Sequence, residues 1–350
     1  MKLHVFNPEH EMALAANLDQ YTSPRAGREM RSHLSFLPAL WADDGDYVLV
    51  DDVDEARNAI SQIDGRKANV QFVNTKQFPI SDIHQVCPWG WNRSIVHQLK
   101  RLQVSSHLLP TAKQLDEIRE ISNRKWASEH LLSALKTIGD NIVGEANYYS
   151  TFPKFVSPVV LKSPWSCSGR GVRYALTEKQ YMVHESWAKN IIGQQGAVMI
   201  EPYYRHVMDF ALEFESTKNG IQYLGLSLFF TNKGGYTGNV IASEEYKLNI
   251  VSQYVPLRIL EDAKAMITER MALFIADKYF GPFGVDMMVV VDENHAYQLH
   301  PCVELNLRRT MGHVSLSFER VFSNPMCMSV KYNGRYRLDI SPWEDDLSKI

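Results

Sequence analysis

The stretch Glu304-Leu-Asn306-Leu-Arg308 constrains the fold of this chain most, because an extended strand separates polar from apolar residues one by one. On a strand Glu304, Asn306 and Arg308 share one face, while Leu305 and Leu307 enter a core. An edge strand whose polar face only meets water has the same pattern. A second strand-like run, Phe-Gly-Val-Asp286-Met-Met-Val-Val-Val, precedes it and adds a carboxylate. Carboxylate and amide oxygens are what Mg²⁺ takes from proteins, its other positions going to water and phosphate oxygens. An arginine beside them suits a phosphoryl oxygen.

The chain has 350 residues, 45% hydrophobic and 22% charged, enough for a large core and two or three lobes. A net charge of −3 with both signs interspersed leaves no basic stripe for a nucleic-acid backbone, so no nucleic-acid partner is expected. Cys87, Cys167, Cys302 and Cys327 show neither CxxC pairs nor zinc spacing. The N-terminal Met-Lys-Leu-His-Val-Phe lacks the apolar core of a signal peptide, and no run approaches spanning length. A cytoplasmic protein without a membrane partner is expected.

Short apolar runs at 3–6, 46–50 and 70–73, with a helical pattern at 25–40, are the grammar of an α/β domain. No Gly-x-Gly-x-x-Gly follows the first run, which leaves a dinucleotide site there unsupported. That run ends instead in Asn7-Pro8-Glu9-His10-Glu11, at the strand end where open α/β sheets keep ligands. A turn with a helix cap reads the same way. Pro88-Trp-Gly-Trp-Asn92 precedes a helix at 93–102, with Asn92 placed as its N-cap. Helical patterns at 111–120 and 122–136 set a boundary near residue 110. Strands then follow at 159–162, 198–200, 210–214, 223–230, 285–291 and 296–299. From 331 onward a C-terminal tail is expected, frayed over its acidic end.

Three further stretches carry chemistry. Lys162 closes a strand and leads through a small-residue loop to Ser168-Gly169-Arg170-Gly171, whose backbone N–H groups could cradle phosphate oxygens. A Ser/Gly hairpin turn has the same composition. Met-Ile-Glu201-Pro-Tyr-Tyr ends a strand in a carboxylate and aromatics that could meet a nucleoside, and Asp209 follows closely. The glycine-rich run 231–239, with Tyr236, Thr237 and Asn239, could close over an acceptor.

In order along the chain, these pieces resemble the ATP-grasp superfamily, the fold of carboxylate-amine and carboxylate-thiol ligases, biotin carboxylase and carbamoyl phosphate synthetase. The resemblance covers roughly 110–321, and Glu304-Leu-Asn-Leu-Arg is its most specific part. It implies an N-terminal Rossmann-like α/β domain (1–109), a two-lobed ATP-grasp domain of α+β lobes (central lobe about 121–200, C-terminal lobe about 201–330) and the tail 331–350. Carried over by residue, Lys125 and Lys162 touch the nucleotide phosphates and Ser168, Gly169, Arg170 and Gly171 cover them. Glu201 and Asp209 meet the nucleoside. Asp286, Glu304 and Asn306 hold Mg²⁺, or Mn²⁺ in its place, and Arg308 faces the transferred phosphoryl group. The acceptor side is not carried over: Arg309 could bind a substrate carboxylate and Tyr236, Thr237 and Asn239 could close over the acceptor, where a capped helix and a plain hairpin loop read the same way. The implied activity is an ATP-dependent ligase joining a small-molecule carboxylate to an amine, with kinase-type transfer or a silent ATP-binding module as alternatives. A homodimer remains open.

Overall fold

The computed structural model describes residues 1–65, 68–79, 82–166, 171–232 and 235–344, whose strands form three sheets. The first is parallel, in the order β3-β2-β1-β4, from β1 (Lys2–Val5), β2 (Tyr47–Leu49), β3 (Gln71–Val73) and β4 (Gln85–Pro88). Alternation along β1 sends Leu3 and Val5 into one core and leads Phe6 into another on the opposite face. Helix α1 (His10–Ala16) follows β1, and α2 (Arg93–Arg101) follows β4. Asn92 caps α2 as its sequence implies, its side chain accepting from the Ile95 N–H at 2.9 Å.

The second sheet is antiparallel, β5 (Asn147–Tyr149), β6 (Val159–Lys162), β7 (Val172–Ala175) and β8 (Val198–Pro202), in the order β5-β8-β6-β7. Helix α3 (Ala112–Ile121), closed by a Thr111 capping box, leads toward it.

Seven antiparallel strands make the third sheet: β9 (Arg205–Thr217), β10 (Gly220–Asn232), β11 (Gly235–Ile241), β12 (Gly281–Val291), β13 (Tyr297–Asn306), β14 (Met326–Tyr332) and β15 (Tyr336–Pro342). Their order is β13-β12-β9-β10-β11-β14-β15. On one face Phe210, Leu212, Phe214, Leu226, Leu228, Val285, Val289 and Leu305 pack under helix α4 (Leu257–Ile275), which presents Leu260, Ala263, Ile267, Met271 and Ile275. Those five recur every three or four residues and form one buried helix stripe. The same strands turn their alternate residues toward a cavity. A short helix α5 (Met311–Leu316), capped by Thr310, follows β13.

The expected tail from 331 is not one. Residues up to Pro342 complete the β14–β15 hairpin, and the ring of Trp343 stacks on Phe230 at 5.1 Å. Asn333-Gly334 makes the turn, Gly334 taking φ of 69° as hairpin turns demand, and Tyr336, Leu338 and Ile340 alternate onto the core shared with the first sheet. The last six residues lie outside the described part. Among the described residues no helix is long and apolar enough to cross a membrane.

Candidate active site

One cavity of about 890 Å³ lies where the three sheets meet. Its floor is the outward face of the third sheet, and strand parity chose the residues: Asp209, Ala211 and Glu213 from β9, Ser227, Phe229 and Thr231 from β10, Asp286 and Met288 from β12, Glu304 and Asn306 from β13. Arg308 continues the same row just past β13.

Asp286 and Glu304 stand directly opposite each other in the β12–β13 ladder. Burial, and then the negative charge of Glu304, hold the Asp286 carboxyl well above the ordinary carboxylate range. Arginines flank this pair. Arg124 Nη2 donates to Glu304 Oε1 at 2.6 Å, while its Nη1 donates to the Ser163 carbonyl and to Ser166 Oγ at 2.9 Å. Arg308 Nη2 donates to Asn306 Oδ1 at 2.9 Å. Although burial opposes its charge, the carboxylates of Glu11, Glu304 and Asp286 hold Arg308 firmly protonated.

Among the described residues no group of three or more His, Cys, Asp or Glu is arranged around a metal position. The row here offers two carboxylates and an amide oxygen instead, the hard donor set of Mg²⁺, which completes its shell from phosphates and water. Two facing carboxylates that repel one another fit a cation between them.

In the same cavity, Lys162 Nζ meets Glu201 Oε2 at 2.6 Å, both side chains only 9% exposed. Glu201 sits across from Val160 in the β6–β8 ladder, so Lys162 reaches it diagonally on the same face. Val160, Val172, Tyr174, Leu176 and Tyr203 form apolar walls beside the pair. Asp209 accepts from Thr231 Oγ1 at 2.7 Å and lies 3.1 Å from His206 Nε2; that carboxylate outweighs burial and raises the His206 pKa.

Several expected residues lie elsewhere. Lys125 is not part of the cavity wall; its side chain is 44% exposed, 3.6 Å from Glu129 and over the Tyr148 ring. Its neighbour Arg124 enters the site instead. Arg309 turns to the opposite side of the chain from Arg308 and stacks over Trp41 at 4.5 Å, away from the cavity wall. Tyr236 and Asn239 do line the cavity, joined by a hydrogen bond of 2.5 Å, whereas Thr237 between them is exposed. Gly171 accepts at its carbonyl from the Ser163 N–H at 2.8 Å, closing the neck of the glycine loop. Ser168, Gly169 and Arg170 fall outside the described residues.

Glu213 is a residue the sequence did not single out. It is 1% exposed, accepts from Thr310 Oγ1 at 2.7 Å and lies 3.0 Å from His313 Nδ1. Burial pushes its carboxyl up from 4.5 to about 8. Between those values the folded chain keeps a proton that the unfolded chain has released, so this group makes stability fall as pH rises through the window. Glu213→Gln is therefore expected to gain stability relative to the parent between about pH 5 and about pH 9, read from urea midpoints. A difference independent of pH would contradict a protonated Glu213.

No sequence family matches the chain, and no curated protein matches it. Solved structures do match. N5-carboxyaminoimidazole synthetase from Staphylococcus aureus, complexed with ADP, superposes with a TM-score of 0.54 at 12% identity, over 99% of this chain and 94% of that one. The biotin carboxylase domain of the 2-oxoglutarate carboxylase from Hydrogenobacter thermophilus, in complex with MgADP, ADP and bicarbonate, gives 0.52 at 12% identity, over 94% and 74%. A protein from Archaeoglobus fulgidus described as of the ATP-grasp superfamily gives 0.50 at 12%, over 98% and 100%. Likeness at such identities speaks to the fold alone. The chain has the fold of the ATP-grasp superfamily, a parallel N-terminal sheet followed by two antiparallel lobes.

Proposed function

We propose that the protein is an ATP- and Mg²⁺-dependent ligase that activates a small-molecule carboxylate as an acyl phosphate and joins it to an amine. The observation that carries this reading is the polar row of Asp286, Glu304, Asn306 and Arg308, which shares one cavity with the Lys162–Glu201 pair. That two proteins of similar fold are described as complexes with ADP and with MgADP supports a nucleotide as the ligand. Phosphoryl transfer asks a protein chiefly for positioning and charge neutralisation, and this set offers both.

The nucleoside would lie between Tyr174, Tyr203 and Val160, with Glu201 and Asp209 as polar anchors and Lys162 on the phosphates. Asp286, Glu304 and Asn306 would hold Mg²⁺, which supplies charge neutralisation for the phosphates. Arg308 would bind the transferred phosphoryl group while a substrate carboxylate oxygen attacks the γ-phosphorus and ADP leaves. The amine nitrogen then attacks the acyl carbon, and inorganic phosphate leaves with the C–O bond electrons as the nitrogen loses its proton. Closure of the lobes around the acyl phosphate would exclude water.

A screen of carboxylate and amine pools tests the reaction type. One amine is expected to disappear for each ADP released; phosphorylation of an acceptor without amine loss would replace the ligase by a kinase.

A further inference from the structure

The two N-terminal motifs, Asn7-Pro8-Glu9-His10-Glu11 and Pro88-Trp89-Gly90-Trp91-Asn92, lock together at the ends of β1 and β4. Asn7 Nδ2 donates to the Gly90 carbonyl at 2.9 Å, and the Gly90 N–H donates back to Asn7 Oδ1 at 3.3 Å. Asn92 Nδ2 donates to His10 Nδ1 at 3.2 Å. A Cβ at Gly90 would come within 2.6 Å of the His10 ring, so a side chain there would force the two segments apart. The Arg309 N–H donates to the Trp89 carbonyl at 2.8 Å, which ties the same loop to the chain just past β13.

This mount carries Glu11 in the first turn of α1, its side chain 11% exposed. Glu11 Oε1 accepts from Arg308 Nε, although 297 residues separate them in sequence. Among the described residues the other two bonds of the Arg308 guanidinium stay within its own segment: Nη1 to the Arg309 carbonyl and Nη2 to Asn306 Oδ1, each 2.9 Å. A guanidinium has five N–H donors, so these three bonds fix its plane and leave two donors on the Nη side for a ligand in the cavity.

We infer that Glu11 is a positioning residue: the N-terminal domain holds the Arg308 guanidinium by its Nε edge and presents the Nη edge to the transferred phosphoryl group. The inference rests on the proposed role of Arg308. Among the described residues, only the Glu11 bond braces that side chain from outside its own segment, and a misplacement of about 1 Å at a reacting group costs on the order of 100-fold in rate.

A double-mutant cycle tests it, using basal ADP release from ATP and Mg²⁺ with water as acceptor in the full chain. Glu11→Ala is expected to lower kcat about 10- to 100-fold while KM for ATP changes less than about 3-fold. Arg308→Ala is expected to lower kcat at least as far, and adding Glu11→Ala to it to lower kcat no further. Where Glu11→Ala unfolds the chain, Glu11→Asp, whose carboxylate falls short of Arg308, takes its place in the same cycle. An equal loss from the Glu11 change with and without Arg308, or no loss in either, overturns the positioning role. If Arg308→Ala alone leaves kcat unchanged, the proposed role of Arg308 itself fails.

Discussion

Glu304→Ala is expected to lower basal ADP release at saturating ATP and Mg²⁺ by about 100- to 1000-fold, the scale on which losing one preorganised charge-stabilising group acts. Glu304 supplies one of the two facing carboxylates, and in the proposed metal site Asp286 by itself would leave a single protein charge for the divalent cation. Folding suffers less than catalysis. Arg124 keeps its bonds to the Ser163 carbonyl and Ser166 Oγ, and the Glu304 side chain is 26% exposed, so water can replace it. Glu304→Gln, which preserves an acceptor for Arg124 while removing the charge, is expected to lose the same activity. An unchanged rate in either variant would remove Glu304 from the metal row.

Lys162→Met should have the largest effect on stability. The Lys162–Glu201 pair is buried on both sides at 2.6 Å, and removing one partner leaves an uncompensated carboxylate beside apolar walls. Breaking such a pair costs about 3–5 kcal/mol, visible as a lower denaturant midpoint. The double variant Lys162→Met/Glu201→Gln removes the stranded charge and is expected to recover most of that loss. ATP affinity is expected to stay about 10- to 100-fold down in both, because the proposed role of Lys162 is a charge-assisted bond to phosphate. If the double variant were as unstable as the single one, the pair would not be the source of the cost.

The β13 row of the floor was legible because a strand's period of two is written in the sequence. Glu304, Asn306 and Arg308 alternate with Leu305 and Leu307, and the structure turns the first three to the cavity and the leucines to the core. Arg124 was not legible, since it adjoins Lys125 at a helix start, and only the approach of the Ser163 carbonyl and Glu304 selects between the two cations. Arg309 lies away from the cavity for the same reason that Arg308 lines it: it has the opposite parity, and its guanidinium turns to Trp41. The β14–β15 hairpin did leave a signal, Asn333-Gly334 between alternating apolar runs, which its polar and acidic sequel obscured. Glu11 carried no local mark of its partner, because the contact joins β1's end to β13's end across nearly the whole chain.

Calorimetric titration with ATP, in Mg²⁺ and again with the divalent cation chelated, tests the central claim most directly. Saturable binding of one ATP per chain is expected with Mg²⁺, weakened about tenfold or more on chelation. Equal affinity in both conditions, or no binding in either, would contradict a nucleotide site built on Asp286, Glu304 and Asn306.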